Sequence, residues 1–243
     1  MPRFFIDRVV PAKVGDCIAI DGIDANHIKK SLRMNVGETL TVCDGHGWDY
    51  ETEIVALENS AVVSKVKSVW ENQTEPSLQV TLYQGLPKGD KWETVIQKCV
   101  EVGVTKLVPV VMARSIAKPG ENIQKKWERW QKIANEAAGQ CGRGILPQVE
   151  KPISFTDLVT RIAKEKTLVC YEEGGAPFGE QISKEDAALS LVIGPEGGLD
   201  LSEVEKMKAA GGIVVTMGPR IMRTETAPIA AMAVLMEKSG NWR

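Results

Sequence analysis

Apolar and polar positions alternate in short runs along residues 1–70. Phe4-Phe5-Ile6 and residues 17–20, 39–43, 53–57 and 62–69 are short strand candidates rich in apolar and β-branched residues. Asp44-Gly45 and His46-Gly47 punctuate them as turns, and only residues 26–32 read as helix. This pattern predicts a small β-barrel-like domain. From residue 78 the style changes. Short apolar runs at 78–83, 107–112, 145–149, 167–170, 189–193 and 213–216 read as strands. Stretches with helical spacing lie at 91–102, 123–138, 155–163, 202–210 and 228–238, the second carrying Trp127, Trp130 and Ile133 on one face. Strands alternating with helices predict an α/β domain on a largely parallel sheet. Residues 71–77, polar and containing Pro76, read as a linker, so the expected domains are 1–71 and 72–243.

Composition narrows the class. The chain has 243 residues and a formal net charge of −2, which excludes a globally basic nucleic-acid binder. Residues 1–71 carry eight Lys and Arg against eleven Asp and Glu, so any RNA contact there is a local patch. Five cysteines without C-x-x-C spacing and two histidines give no zinc pattern, and no metal is expected. The odd cysteine count and the lack of a leader-like segment point to a reducing cytoplasm. No apolar run approaches the roughly 20 residues that span a membrane.

Two loops carry the candidate chemistry. In the first, the apolar strand Leu191-Val192-Ile193 runs into Gly194-Pro195-Glu196-Gly197-Gly198-Leu199, and Ser202-x-x-Glu205 has the form of a capping box, placing a helix start there. Glycines allow close backbone approach to a ligand, and open α/β sheets bind ligands at the carboxyl ends of strands. The segment is neither G-x-G-x-x-G nor a phosphate-binding P-loop. The second loop, Met217-Gly218-Pro219-Arg220-Ile221-Met222-Arg223-Thr224-Glu225-Thr226-Ala227, crowds charged and hydroxyl side chains ahead of an apolar helix, with Pro228 in its first turn.

Together the two loops resemble those of the SPOUT methyltransferases and, more closely, of the RsmE family, which methylates N3 of a uridine in 16S ribosomal RNA. The resemblance runs along nearly the whole chain. It includes Arg3-Phe4-Phe5, His27-Ile28, Leu32-Arg33, Gly85-Leu86-Pro87-Lys88-Gly89-Asp90-Lys91, Gln97-Lys98, Glu101-x-Gly103-Val104, Arg114-Ser115 and Glu136-Ala137-Ala138-x-Gln140-Cys141-Gly142-Arg143. Met217 and Met222 stand where leucine is expected, a nearly volume-neutral change. The resemblance implies a C-terminal SPOUT-type trefoil-knotted α/β domain behind a small N-terminal PUA-like β-barrel that binds RNA. It also implies a homodimer, S-adenosyl-L-methionine as cofactor, and small-subunit ribosomal RNA, in assembled particles, as partner.

On this reading the cofactor cradle comprises Gly194, Pro195, Glu196, Gly197, Gly198, Met217, Gly218, Ile221, Met222 and Thr226, with Leu168 and Tyr171 either walling it or serving as ordinary core. Arg220, Arg223 and Glu225 are the candidate catalytic groups. Uridine N3 is a weakly acidic imide, so a carboxylate can take its proton and an arginine can stabilise the resulting charge. Whether Glu225 or Glu196 is the base is open, as is the alternative that Glu225 holds an arginine. Arg3, Lys29, Lys30, Arg33, Arg114 and Arg143 are the candidate RNA contacts, with Arg8 nearby; the first helical patch also reads as a plain solvated face. Glu93, Gln97 and Glu101 share one helical face, and Glu136, Gln140 and Arg143 another. His27 reads as a structural polar group. Two rival classes, a nicotinamide oxidoreductase and a non-catalytic RNA-binding factor, are disfavoured. The first lacks its glycine fingerprint, and the second gives the arginine- and glutamate-bearing loop no task.

Overall fold

The computed structural model describes every residue except Met1, Asp7, Arg8, Val9 and Arg243, so Arg8 lies outside the described residues. The chain forms two compact units. Met1–Glu75 joins with Ala138–Leu146, and Pro76–Ala137 joins with Pro147–Arg243.

In the first unit, β1 (Arg3–Phe5), β2 (Cys17–Asp21), β3 (Thr39–Cys43), β4 (Trp48–Leu57) and β5 (Ala61–Glu71) form one sheet in the order β1-β3-β4-β5-β2. The β1–β3 pair is parallel and the others are antiparallel. Register shifts between Glu51 and Thr52 and between Ile54 and Ala56 bend the long β4–β5 pair. Phe4 of β1 and Ile18 and Ile20 of β2, at opposite ends of the strand order, share one core with Leu40, Val42, Tyr50, Ile54 and Val62, so the sheet curls around that core. β4 begins at Trp48 rather than at residue 53. Asp44 accepts hydrogen bonds from His46 N (2.8 Å), Trp48 N (3.1 Å) and the Tyr50 hydroxyl (3.0 Å), which closes the turn early and lets pairing resume at once.

The helix expected at 26–32 is a short α1 (Gly22–Asn26) followed by a π-helical turn, His27–Ser31. It buries Ala25 and Ile28 in the same core.

In the second unit, β6 (Gln79–Gly85), β7 (Lys106–Val111), β8 (Gln148–Val149), β9 (Ile153–Ser154), β10 (Thr167–Cys170), β11 (Ala176–Pro177), β12 (Ala188–Ile193) and β13 (Ile213–Thr216) build a sheet in the order β11-β13-β10-β12-β6-β7-β8, with β9 also pairing to β7. Every pairing is parallel. The helices are α2 (Lys91–Val102), α3 (Ile123–Cys141), α4 (Phe155–Ile162), α5 (Leu201–Ala209) and α6 (Thr226–Lys238); from Ala138 onward α3 belongs to the first unit.

Tyr83, Val108, Val169 and Val192 pack with Leu158 and Ile162 of α4 and Val204 and Met207 of α5. Their strand neighbours Leu82, Leu107, Leu168 and Leu191 are fully buried and point to the opposite face. α2 and α6 pack on each other. β6 leads off to β7 on one side while its neighbour β12 leads past β10 to β13 on the other. That divergence is a topological switch point, where α/β sheets open a crevice at the strands' carboxyl ends.

The capping box of α5 lies two residues earlier than Ser202-x-x-Glu205 suggested. Asp200 is its N-cap, accepting from Ser202 N, and Glu203 reaches back to the Asp200 amide. Asp200 prevails because its partner in the capping box, Glu203, is nearly fully buried and also accepts from Ala113 N at 2.8 Å, which fixes that turn.

Candidate active site

The crevice at the carboxyl ends of β6, β10, β12 and β13 is a cavity of about 410 Å³ in the second unit, within the range of small-molecule sites. Its walls come from the end of β10 (Cys170, Tyr171, Glu172), the loop after β12 (Ile193, Gly194, Pro195, Glu196, Gly198) and the loop after β13 (Thr216–Thr224), closed by Lys91 and Ala227. Burial pushes the Cys170 thiol up from its ordinary value of 9.0, so it is a neutral wall group.

The two loops are pinned together from below. Gln84, fully buried near the end of β6, donates through Nε2 to Gly194 O (3.2 Å) and Thr224 Oγ1 (2.9 Å), and Thr224 Oγ1 in turn donates to Gly194 O (2.8 Å). Two glycines are obligatory here. A Cβ on Gly85 would run into the Pro195 backbone nitrogen. Gly198 has φ +70, and a Cβ there would strike the Glu172 carboxylate.

Charges are distributed unevenly around the cavity. Arg220 and Arg223 line it, both exposed, and among the described residues neither has an ion-pair partner. The Lys91 ammonium lies 3.3 Å from Glu196 and 3.5 Å from Glu225. Glu196 also accepts from Lys88 N at 2.9 Å. Burial works to raise the Glu196 carboxyl, but the Lys88 amide and the Lys91 charge outweigh it and hold the group below its ordinary range. Glu225 therefore meets a lysine, so of the two roles left open for it, the holding of an arginine is not the contact seen among the described residues.

Of the residues expected in the cradle, Tyr171, Gly194, Pro195, Glu196, Gly198, Met217, Gly218, Ile221 and Met222 line the cavity. Leu168 does not; its side chain is buried in the sheet, paired between Leu191 and Ile213. Gly197 turns its carbonyl to Arg114 (3.2 Å) and Thr226 opens α6, so both lie outside the lining, as does Glu225. Lys91, Glu172 and Thr224 line the cavity without having been singled out. Lys91 stands in the quoted Gly85–Lys91 stretch, whereas Glu172, just past a short buried strand, carries no signal of its own.

The expected RNA contacts fare differently. Arg143 lies beyond the end of α3, not on a face with Glu136 and Gln140, because Gly142 (φ +84) ends the helix path. The residue is 3% exposed, and its guanidinium grips Glu75 through Nη2 (2.8 Å) and Nε (3.3 Å). Arg3 pairs with Asp49 at 2.7 Å and donates to Arg143 O at 3.0 Å. Both arginines are thus committed within the first unit, and a ligand role for either would require breaking these pairs. Arg114 bonds Gly197 O and Asp200 and braces the loop after β12. Lys29 donates to the carbonyls of Glu58 and Asn59, Lys30 is exposed, and Arg33 lies past the π turn at φ +55. The three basic residues do not form one helical stripe, because the wider π turn and the left-handed Arg33 separate them. His27 sets its ring edge-on to Phe4 at 6.1 Å, a structural contact. Glu93 pairs with Arg129 and Glu101 with Lys98 on a solvated face.

Among the described residues no helix is long and apolar enough to cross a membrane, and no cluster of His, Cys, Asp or Glu is arranged to hold a metal ion.

Comparison with known proteins identifies the family. The family model described as an RNA methyltransferase domain matches residues 74–236, and that of an RNA methyltransferase PUA domain matches residues 20–67. The chain is 36% identical to the ribosomal RNA small subunit methyltransferase E of Bacillus subtilis over 97% of its own length and 96% of the relative's. It is 34% identical to the protein of that name from Synechocystis, over 86% of this chain and 69% of the relative. The crystal structure of a ribosomal RNA small subunit methyltransferase E from Neisseria gonorrhoeae bound to S-adenosyl methionine superposes with a TM-score of 0.89 at 31% identity, covering 98% of this chain and 97% of the other. With a family match spanning both loops of the cavity and relatives aligned over nearly their full length, the chain belongs to the ribosomal RNA small subunit methyltransferase E family, a PUA domain joined to a SPOUT methyltransferase domain.

Proposed function

We propose that this protein uses S-adenosyl-L-methionine to methylate N3 of a uridine in 16S ribosomal RNA. The observation that carries the reading is the meeting of two glycine-bearing loops and two arginines, unpaired among the described residues, at one cavity on the sheet's switch point. The cavity suits the cofactor. The main chains of Gly194–Gly198 and Gly218–Met222 offer donors and acceptors, Tyr171, Ile193 and Met217 offer apolar wall, and Glu172 and Glu196 offer negative charge to a cation. S-adenosylmethionine, when bound, supplies an electrophilic methyl group and leaves as a neutral thioether.

The chain's own residues handle the proton and the charge. As N3 of the uridine loses its proton, negative charge spreads onto the flanking carbonyl oxygens. Arg223, assisted by Arg220, holds that charge with planar, preorganised donors. A carboxylate takes the proton. Glu196 is already engaged by Lys88 and Lys91 and held below the usual carboxylate range, which makes it a poor acceptor. Glu225 Oε2 is buried and, among the described residues, accepts no hydrogen bond, so its acceptor capacity is unspent. Glu225 is the better candidate.

RNA contacts are assigned to the exposed Lys30 and Arg33 of the first unit, with Lys29 bracing that loop. The working form is a homodimer in the cytoplasm acting on assembled small-subunit particles. Mass spectrometry of small-subunit ribosomal RNA nucleosides, from cells with and without the protein, tests the reading. N3-methyluridine should disappear with the protein; an unchanged nucleoside profile, or loss of a methyl from a different atom, overturns it. Replacing Lys30 and Arg33 by alanine should weaken RNA binding and lower its salt slope by about one to two charges, leaving cofactor affinity intact.

A further inference from the structure

Lys91 opens α2 at the cavity wall, and its single ammonium reaches both loops, meeting Glu196 at 3.3 Å and Glu225 at 3.5 Å. Three features separate this cation from an ordinary surface ion pair. Its side chain is 34% exposed and lines the cavity. Glu196 is fixed a second time, by the Lys88 amide, so on this side the cation has a rigid anchor. On the other side stands the buried Glu225 Oε2, which among the described residues receives charge from Lys91 but no hydrogen bond. A carboxylate held by one charge contact alone keeps its lone pairs available, but its direction depends on where that charge sits.

We propose that Lys91 is the positioning residue for Glu225. Anchored through Glu196 to the loop after β12, it fixes the Glu225 carboxylate, which stands just outside the lining between Thr224 and Ala227, in the direction needed to take a proton from the substrate. The ammonium is compact and sits on a flexible stem, so it can face two carboxylates from different loops at once. The arrangement also links the loop after β12 to the loop that leads into α6 on the substrate side, in addition to the clip that Gln84 and Thr224 make beneath the cavity. The proposal rests on the methyltransferase reading above.

The test is single-turnover methylation of small-subunit ribosomal RNA at saturating S-adenosylmethionine, run on the full chain with Lys91→Met, Lys91→Gln, Lys91→Arg, Glu225→Gln and the Lys91→Met/Glu225→Gln double variant. Calorimetric titration of S-adenosylmethionine and a melting curve accompany each. Misplacing a reacting group by about 1 Å costs about 100-fold, so Lys91→Met and Lys91→Gln should each slow transfer by roughly 10- to 100-fold. Cofactor Kd should stay within about threefold of wild type, and Lys91→Arg should recover most of the rate. In the Glu225→Gln background Lys91→Met should add less than about twofold, because the two residues act in series.

A wild-type rate in both uncharged variants overturns the proposal. So does a loss that appears in cofactor Kd alone, or penalties that multiply in the double variant. Absence of transfer by the wild-type chain overturns the methyltransferase reading, and this inference with it.

Discussion

Two arginine-bearing loops look alike along the chain and do opposite things in the fold. The segment Gly142-Arg143-Gly144 and the segment Gly218-Pro219-Arg220-Ile221-Met222-Arg223 each combine glycine with guanidinium groups after a regular element. Arg143 is buried and gripped by Glu75, whose carboxylate also accepts from Gly144 N and Ile145 N, while Asn72 and Thr74 hold Gly142 O. Arg220 and Arg223 are exposed and, among the described residues, unpaired, at the wall of a cavity. An arginine with a carboxylate within reach is spent on structure. One without such a partner, as Arg220 and Arg223 are among the described residues, keeps its donors uncommitted. The difference lies in the partner, which is 68 residues away in sequence for Arg143.

The largest expected effect breaks the first loop. Arg143→Ala leaves the half-buried Glu75 carboxylate without its cation; breaking a fully buried pair costs about 3–5 kcal/mol, and a loss of about 2–4 kcal/mol is expected here. Chemical denaturation of the full chain should show that loss, while S-adenosylmethionine affinity, a property of the second unit, stays unchanged. A loss under about 1 kcal/mol would place Arg143 with ordinary surface pairs.

Next comes the open loop. Arg223→Ala should leave the melting curve unchanged and slow methyl transfer by about 100- to 1000-fold. Arg223→Lys should rescue poorly, because an ammonium lacks the planar fork. A near wild-type single-turnover rate in Arg223→Ala would return this arginine to the solvated surface.

A smaller effect is expected at Gly198, which couples the cavity to its wall. Valine there must adopt φ +70 and meet the Glu172 carboxylate, at a strain of about 1–3 kcal/mol. Cofactor affinity should fall sharply in a protein that still folds. Unchanged affinity by calorimetry would remove this loop from the site.

The smallest effect is a pH dependence. Glu196 is held below its ordinary value of 4.5, since the Lys88 and Lys91 contacts outweigh the burial that would raise it. A depressed carboxyl contributes stability that is fully present above the unfolded value and is lost as pH falls through the folded one. The difference in urea midpoint between wild type and Glu196→Gln should therefore be flat from about pH 8 to pH 5 and shrink below that. A difference that grows with acidity would contradict the assigned contacts.

Much of the architecture could be read from local patterning. The strands at residues 39–43, 167–170 and 213–216 and the helix at 91–102 have the bounds that their periodicity predicts. The strand at 167–170 is buried throughout, and the helix at 91–102 buries Trp92, Val95, Ile96, Cys99 and Val100 on one face, so the local rule and the tertiary environment agree. The start of β4 was not legible, because the Asp44 side chain closes a turn that composition alone extends.

Of the site, the two loops were legible because glycine, proline and charge in a short stretch have few other uses. Lys91 and Glu172 were not. Their chemistry depends on which carboxylate or backbone atom faces them, and that is fixed by the parallel pairing of β6 with β12 and of β10 with β13.

The sequence by itself determined the change from alternating strands to an α/β pattern, the two glycine-bearing loops and the residue types they carry, because periodicity and backbone freedom are local properties. Only folding brings residues 138–146 back to the first unit, pairs Arg143 and Arg3 with carboxylates while Arg220 and Arg223, among the described residues, have none, and sets one lysine between Glu196 and Glu225. Charge pairing falls off within a few ångströms and ignores separation along the chain, so only the folded positions select the partner.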